Sequence, residues 1–172
     1  MADFFNRAGS AACSFTQRNG CGPEDDMGLE HNKTVALASF ELIETGDADL
    51  ADRIVAADFV NREAEDDPDQ TARGMGGPAG FLATARWLRS AFSDLRFEDL
   101  ETIAEDNRVV VRATMAGRHT GEFQGIPPTG KTFRQRQMHL FRLRSGQIVE
   151  HVAQRDDLGL LLRLGWRPGG PG

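Results

Sequence analysis

The sequence predicts an α+β fold in which a curved sheet wraps against helices. Apolar residues recur at helical spacing from about residue 31 to residue 93, and strand patterns follow Asp94. The chain has 172 residues, enough for one domain with a buried core. Helices followed by antiparallel strands are typical of an α+β domain with its helices packed on one face of the sheet.

Residues 1–29 show neither helical nor strand periodicity, and they end in a cluster of Gly, Pro and acidic residues. We expect residues 1–29 to form a flexible arm, 30–167 the folded domain and 168–172 a flexible tail. An arm docked on a partner subunit is the alternative. Cys13 and Cys21 lie in this arm, and two sulfurs fall short of the four ligands of a zinc site. Two cysteines in a flexible arm predict free thiols in a reducing cytoplasm, and a disulfide between them is the alternative.

Charge and hydropathy exclude two classes of partner. The net charge is −6, whereas a general nucleic-acid binder needs an excess of Lys and Arg. No apolar run approaches the roughly 20 residues of a membrane helix. The N-terminus carries Asp3 and lacks a sustained apolar segment, so no signal peptide is predicted. We expect neither a nucleic-acid nor a membrane partner.

Apolar stripes predict three helices. The first contains Val35 and ends at Gly46, and Asp49 can cap a second that ends near Phe59. Residues 61–77 are acidic and then Gly-rich, which predicts a loop. A third helix begins at Pro78.

The second half of the chain reads as strands. An irregular strand at 97–104 and a Val-rich strand at 108–118 precede a long Gly/Pro loop at 119–130. The strands Thr132–Arg144 and Gln147–Arg155 are joined at Ser145 and Gly146. Asp157 can then cap a short helix at 158–164.

The strand Thr132–Arg144 predicts a cavity wall. Its even positions include Arg134, Arg136, Arg142 and Arg144, which belong in water, so the odd positions should face inward. The inward set contains Gln135, Gln137, His139 and Phe141. Buried polar groups without partners cost about 1–3 kcal/mol each, so packing alone does not explain three of them. Polar groups among aromatics are typical of a small-molecule cavity, and a solvent-facing sheet edge is the alternative.

The hairpin turn decides which residues face each other. A three-residue loop closed by Gly146 would put His139 opposite His151, whereas a two-residue turn would put His139 opposite Val152. Ser-Gly lacks the Asn or Asp that favours the tight turn, so we favour the three-residue loop. The residues of the last strand that then face inward are His151, Ala153 and Arg155.

Other residues are candidates for the same cavity. Asn61 can orient a carbonyl group or begin the loop, and Trp87 and Met115 can line the cavity or fill the core. Asp156, at the end of the last strand, is a candidate acid, while Asp157 is expected to serve as the helix cap.

Several motifs resemble one family. They are HNK at 31–33, ADFVN at 57–61, GF at 80–81, HTGEF at 119–123, GIPPTG at 125–130 and GQIVEH at 146–151. Together they resemble the SnoaL-like polyketide cyclases from about His31 to Trp166. The resemblance implies a cone-shaped, mixed or antiparallel sheet of the nuclear-transport-factor-2-like type, usually dimeric. It also implies cofactor-free and metal-free ring closure of a hydrophobic, aromatic polyketide by an intramolecular aldol reaction.

The resemblance also implies roles for individual residues. The family's proton-transferring Asp is expected two residues after the His of the Glu-His pair, where this chain has Ala153. His139 and His151 match family histidines, and an unperturbed imidazole with a pKa of ~6.5 can act as a base. Because the Asp is missing, two alternatives stay open. One is a polyketide hydroxylase that works with a partner reductase, and the other is a binding protein without chemistry.

Overall fold

A computed structural model describes residues 23–63 and 76–168. Segments 1–22, 64–75 and 169–172 lie outside the described residues, and with them Cys13, Cys21 and most of the predicted arm and tail. Helix α1 begins at Pro23, so the last part of the segment predicted as an arm is helical.

The described chain forms four helices and five strands. These are α1 Pro23–Thr45, α2 Ala48–Ile54, β1 Val55–Asn61, α3 Gly77–Ala91, β2 Phe92–Glu105, β3 Arg108–His119, β4 Thr132–Arg144, β5 Gln147–Arg155 and α4 Asp157–Leu164. The sheet order is β1-β5-β4-β3-β2, with β1 parallel to β5 and the other neighbours antiparallel. The predicted α+β fold with a mixed sheet is confirmed, as is the irregularity of β2, whose register shifts twice.

The second helix is shorter than predicted. It ends at Ile54, and Val55 begins β1 and pairs with Ile148 of β5. The predicted end near Phe59 is wrong because pairing with a distant strand overrides the local helical pattern. The cap is Asp47, whose carboxylate accepts from the backbone N–H groups of Asp49 and Leu50, so the prediction of Asp49 as the cap is also wrong.

Two apolar clusters fill the space between the helices and the sheet. The larger one joins α1, α2 and α3 to the middle of the sheet through residues such as Phe40, Leu42 and Phe141. The smaller one gathers Phe92, Phe133 and Leu160. Both clusters contribute residues to the walls of one cavity.

The predicted alternation of β4 is confirmed at every position. Its residues are exposed and buried in strict turn, with the arginines outward. Gln135, Gln137 and His139 are 1%, 4% and 7% exposed, so the three polar residues do lie inside.

The β4–β5 turn differs from the prediction. Ser145 and Gly146 both have positive φ, 51° and 76°, which makes a tight two-residue turn, and the predicted three-residue loop is wrong. A bulge then shifts the register between Arg142 and Leu143. Beyond the bulge, His139 lies opposite Ala153 rather than His151, and Phe141 lies opposite His151.

The bulge has a packing reason. Ile148 and His151 are three residues apart, so a regular strand would direct them to opposite faces. The extra residue lets both point inward, where Ile148 is 0% and His151 8% exposed.

Candidate active site

A cavity lies between the concave face of the sheet and the helices. It encloses about 790 Å³ of empty space when the solvent in its open mouth is counted. Its apolar walls include Phe40, Phe59, Phe81, Trp87, Met115 and Phe141. Its polar lining includes Asn61, Glu63, Gln135, Gln137, His139, His151, Arg155 and Asp157.

Most residues predicted for the site line this cavity, and two do not. Ala153 and Asp156 are absent from its lining. Ala153 is half-buried on β5 opposite His139. The Asp156 carboxylate turns away to cap α4, accepting from the backbone N–H of Gly159 at 2.9 Å. The prediction of Asp156 as an acid of the cavity is therefore not supported by its position.

Asp157, the next residue, is the acid that lines the cavity. Asp157 was predicted to be the helix cap, but its carboxylate lines the cavity and accepts from Gln135 Nε2 at 2.9 Å. The strand ends at Arg155, and the turn into α4 directs one Asp to the helix end and the next back to the sheet.

A row of hydrogen bonds runs along the cavity wall from Asp157. Gln137 Nε2 donates to Gln135 Oε1 at 2.9 Å, and the Gln137 Oε1 atom lies 2.8 Å from His139 Nε2. His139 Nδ1 lies 2.9 Å from His151 Nε2. The row ends where His151 Nδ1 meets Asn61 Oδ1 at 3.3 Å. Both ring nitrogens of both histidines are therefore occupied within the protein.

Arg155 and Glu63 close the row into a ring. Arg155 donates to Asp157 Oδ1 at 3.3 Å and to Glu63 Oε2 at 2.7 Å. The backbone N–H of Glu63 donates to Asn61 Oδ1 at 3.3 Å. One guanidinium thus holds two carboxylates at the same end of the cavity.

Counting protons constrains the row. A neutral imidazole, like a side-chain amide, offers one donor and one acceptor along such a chain. Four residues between the oxygens of Asn61 and Asp157 supply four donors for five hydrogen bonds. The orientation of an Asn amide is assigned from its partners. Turning the Asn61 amide nitrogen toward His151 would close the count, but it would also turn Oδ1 away from the Glu63 backbone N–H.

The histidines are held in the neutral form. Burial lowers the pKa of His139 to about 3, and the positive charge of Arg155 acts in the same direction. Burial, then His139 and Arg155, keep the pKa of His151 well below 6.5. The rings also lie in an aromatic environment. The His139 and His151 rings stack with their centroids 5.2 Å apart, and Phe40 meets His139 edge to face at 4.9 Å.

The pKa of Glu63 is shifted in the opposite direction from those of the histidines. Burial raises the pKa of its carboxyl group above 4.5, although Arg155 and a hydrogen bond from the backbone of Ala153 oppose the shift. Its side chain is 17% exposed. Among the described residues, two buried side-chain polar atoms have no hydrogen-bond partner, Glu63 Oε1 and His119 Nε2. Of these two residues, only Glu63 lines the cavity.

Sequence reasoning missed Glu63 because residues 61–77 were expected to form a loop, which gave no reason to place the Glu63 side chain in the cavity. In the structure Glu63 pairs with Arg155, and Arg62 lies 3.6 Å from Glu150. The available signal was the position of Glu63, two residues beyond Asn61 in the same stretch that follows Phe59.

Two further features bear on the class of protein. Within residues 23–63 and 76–168, no helix is long and apolar enough to cross a membrane. In the same part of the chain, no group of three or more His, Cys, Asp and Glu side chains is placed to hold a metal ion.

An apolar cavity with a buried polar row, enclosed by a curved sheet and helices, is typical of a domain that binds a small organic molecule. A family model described as SnoaL-like polyketide cyclase matches residues 33–164. The chain belongs to the SnoaL-like polyketide cyclase family, as its motifs indicated.

Individual relatives agree with this assignment. The aklanonic acid methyl ester cyclase DnrD of Streptomyces peucetius is 35% identical over 140 residues, covering 74% of this chain and 92% of the relative. The nogalonic acid methyl ester cyclase of Streptomyces nogalater is 31% identical over 133 residues, covering 72% and 96%.

Solved structures confirm the fold. TsrD from Streptomyces laurentii superposes with a TM-score of 0.69 at 24% identity, covering 79% of this chain and 96% of that one. AclR of Streptomyces galilaeus, a proposed hydroxylase, superposes with a TM-score of 0.64 at 26% identity, covering 83% and 86%.

Proposed function

We propose that this chain is a cofactor-independent cyclase that closes a ring in the methyl ester of an aromatic polyketide acid. The observation that carries the proposal is the polar row buried inside an aromatic-walled cavity. The substrate class follows from the relatives DnrD and the nogalonic acid methyl ester cyclase, both named for methyl esters. The aromatic walls suit a flat hydrophobic substrate.

The chemistry is an intramolecular aldol reaction. A base removes a proton next to one carbonyl group, and the resulting enolate carbon attacks a second carbonyl carbon of the same molecule. Donors placed where negative charge develops lower the barrier. In this proposal neutral His139 and His151 supply that N–H donation, with a substrate oxygen replacing an internal partner such as Gln137 Oε1.

The test is turnover of aklanonic acid methyl ester by the purified protein, with and without air. We expect an isomer of unchanged mass under both conditions. Unconverted substrate recovered from heavy water should carry deuterium at the carbon next to the carbonyl group, because deprotonation of that carbon is reversible before the ring closes. His139→Gln, which keeps a polar side chain, should slow turnover at least tenfold, while the outward-facing Met138→Ala should not. Mass spectrometry detects each product, and no conversion by the wild-type protein contradicts the proposal.

A hydroxylase that works with a partner reductase is the second candidate. Two observations favour it: Ala153 lacks the expected carboxylate, and AclR is similar in fold. A product with one added oxygen atom, formed only with air and a reductase, would support this candidate over the cyclase. Ligand binding with no change in the ligand would support a binding protein instead.

The assembly and location expected from the sequence remain proposals. We retain a homodimer in the cytoplasm as the working state of the protein. Light scattering of the purified full chain measures the first of these directly.

A further inference from the structure

We infer that Glu63 is the catalytic base of this cavity, and that its Oε1 atom takes the proton from the carbon next to the substrate carbonyl. The inference rests on the proposed cyclase function and adds the group that performs its first step.

The two oxygens of the Glu63 carboxylate have different surroundings. Arg155 Nη1 holds Oε2 at 2.7 Å and thereby sets the orientation of the carboxylate. Oε1 is buried and has no hydrogen-bond partner in the described part of the chain. A buried acceptor without a donor costs free energy, so it is retained where a ligand supplies the missing contact. Because Glu63 lines the cavity, that ligand is the molecule in the cavity.

The histidines are poor alternatives as a base. Each ring nitrogen of His139 and His151 already has a partner in the row. Their low pKa values make them weak bases, because a low pKa means that the ring nitrogen has little affinity for a proton. Burial acts on Glu63 in the opposite sense, raising the pKa of its carboxyl group and strengthening it as a base. Arg155 and Asp157 are the charged groups that face Glu63, and their effects on its pKa oppose each other.

Strand register places Glu63 beside the cavity wall that contains His139 and His151. Asn61 of β1 pairs in parallel with His151 of β5, and the Arg62 N–H donates to the His151 carbonyl at 3.0 Å. Two residues further along each chain, Glu63 comes beside Ala153, whose backbone is close enough to lower the pKa of the Glu63 carboxyl group. Ala153 itself lies opposite His139. The carboxylate that position 153 does not provide is thus supplied by the adjacent segment.

The step balances without any other reactant. The C–H bond next to the carbonyl breaks, its proton goes to Oε1, and its electron pair forms the enolate. The enolate carbon then forms a C–C bond to the second carbonyl carbon, whose oxygen becomes an alkoxide. The alkoxide takes the proton back from Glu63, so the product is an isomer of the substrate and the enzyme is unchanged.

Two variants test the role of the carboxylate. Glu63→Gln keeps the size of the side chain and removes the base, so kcat should fall by about 10²–10⁴-fold with KM changed only a few-fold. Exchange of substrate hydrogen for solvent deuterium should fall by the same factor. Glu101→Gln is the control, because Glu101 is an exposed carboxylate paired with Arg112 on the surface.

The outcomes separate this inference from the proposed function. Suppose that the wild-type protein turns over and that Glu63→Gln exchanges deuterium at a rate within threefold of the wild-type rate. That result would overturn the role of Glu63 and leave the cyclase function intact. A wild-type protein that neither cyclises nor exchanges overturns both. If Glu63→Gln does not fold, Glu63→Ala with added formate replaces it, since formate can occupy the vacated space. Formate-dependent recovery supports the inference, and folded protein without recovery contradicts it.

Discussion

The two polar parts of the cavity differ in how completely their atoms are paired. Along β4 and β5, the amides and imidazoles of Gln135, Gln137, His139 and His151 satisfy one another. Beside Arg155, the guanidinium holds one oxygen of Glu63, and the other oxygen is buried without a partner among the residues that the structure describes. The paired row therefore gives the wall its order, whereas the unpaired oxygen of Glu63 is available for a reacting proton.

Breaking the paired row should have the largest effect on stability. His139→Ala removes a buried ring and leaves Gln137 Oε1 and His151 Nε2 without their partner. We expect unfolding free energy to fall by about 3–5 kcal/mol, measured by urea denaturation. Met138→Ala, next in sequence but 46% exposed, should cost less than about 1 kcal/mol. Equal losses in the two variants would mean that the row contributes little.

Acid should act on the same row. The unfolded histidines bind protons below pH 6.5, whereas folded His139 does so only near pH 3 and His151 well below 6.5. Stability should therefore fall as the pH drops from 6.5, by about 1.4 kcal/mol per pH unit for each histidine. His139→Phe keeps the aromatic stack and should remove one such contribution. Unfolding free energies between about pH 7 and pH 5 measure the slope, and an unchanged slope in His139→Phe would contradict this account.

The contribution of Glu63 to stability should depend on pH in the opposite direction. Because its folded pKa is raised above 4.5, the folded state binds the proton more tightly, and stability declines as the pH rises through the raised value. Above that range Glu63→Gln should therefore gain stability relative to the wild type, while below pH 4.5 the two should converge. The same pH series of unfolding curves measures this difference, and a Gln variant that is less stable at high pH would show that the ion pair outweighs burial.

The smallest effect separates the two neighbouring acids at the end of β5. Asp156→Ala removes the cap of α4 and should cost about 1 kcal/mol without changing turnover. Thermal unfolding and the cyclase assay measure the two quantities. A loss of turnover would contradict this expectation and show that Asp156 takes part in the reaction.

Sequence reasoning was sufficient where the pattern is local. The alternation of β4 places Gln135, Gln137 and His139 inside, because successive side chains of a strand face opposite sides whatever the strand pairs with. It failed at the turn, where Ser145 adopts the left-handed conformation without the Asn or Asp preference that the prediction relied on. It also failed at Asp156 and Asp157, because the turn into α4 decides which carboxylate caps and which reaches the cavity.

The sequence by itself determined the order of helices and strands, the inner face of β4 and, through its motifs, the family. Only the tertiary structure decided where the carboxylate with the unpaired Oε1 atom lies among the described residues. Glu63 and Arg155 are 92 residues apart in the chain, and they meet because β1 pairs in parallel with β5. No periodicity within either segment encodes that pairing, since it depends on burying the faces of both strands at once.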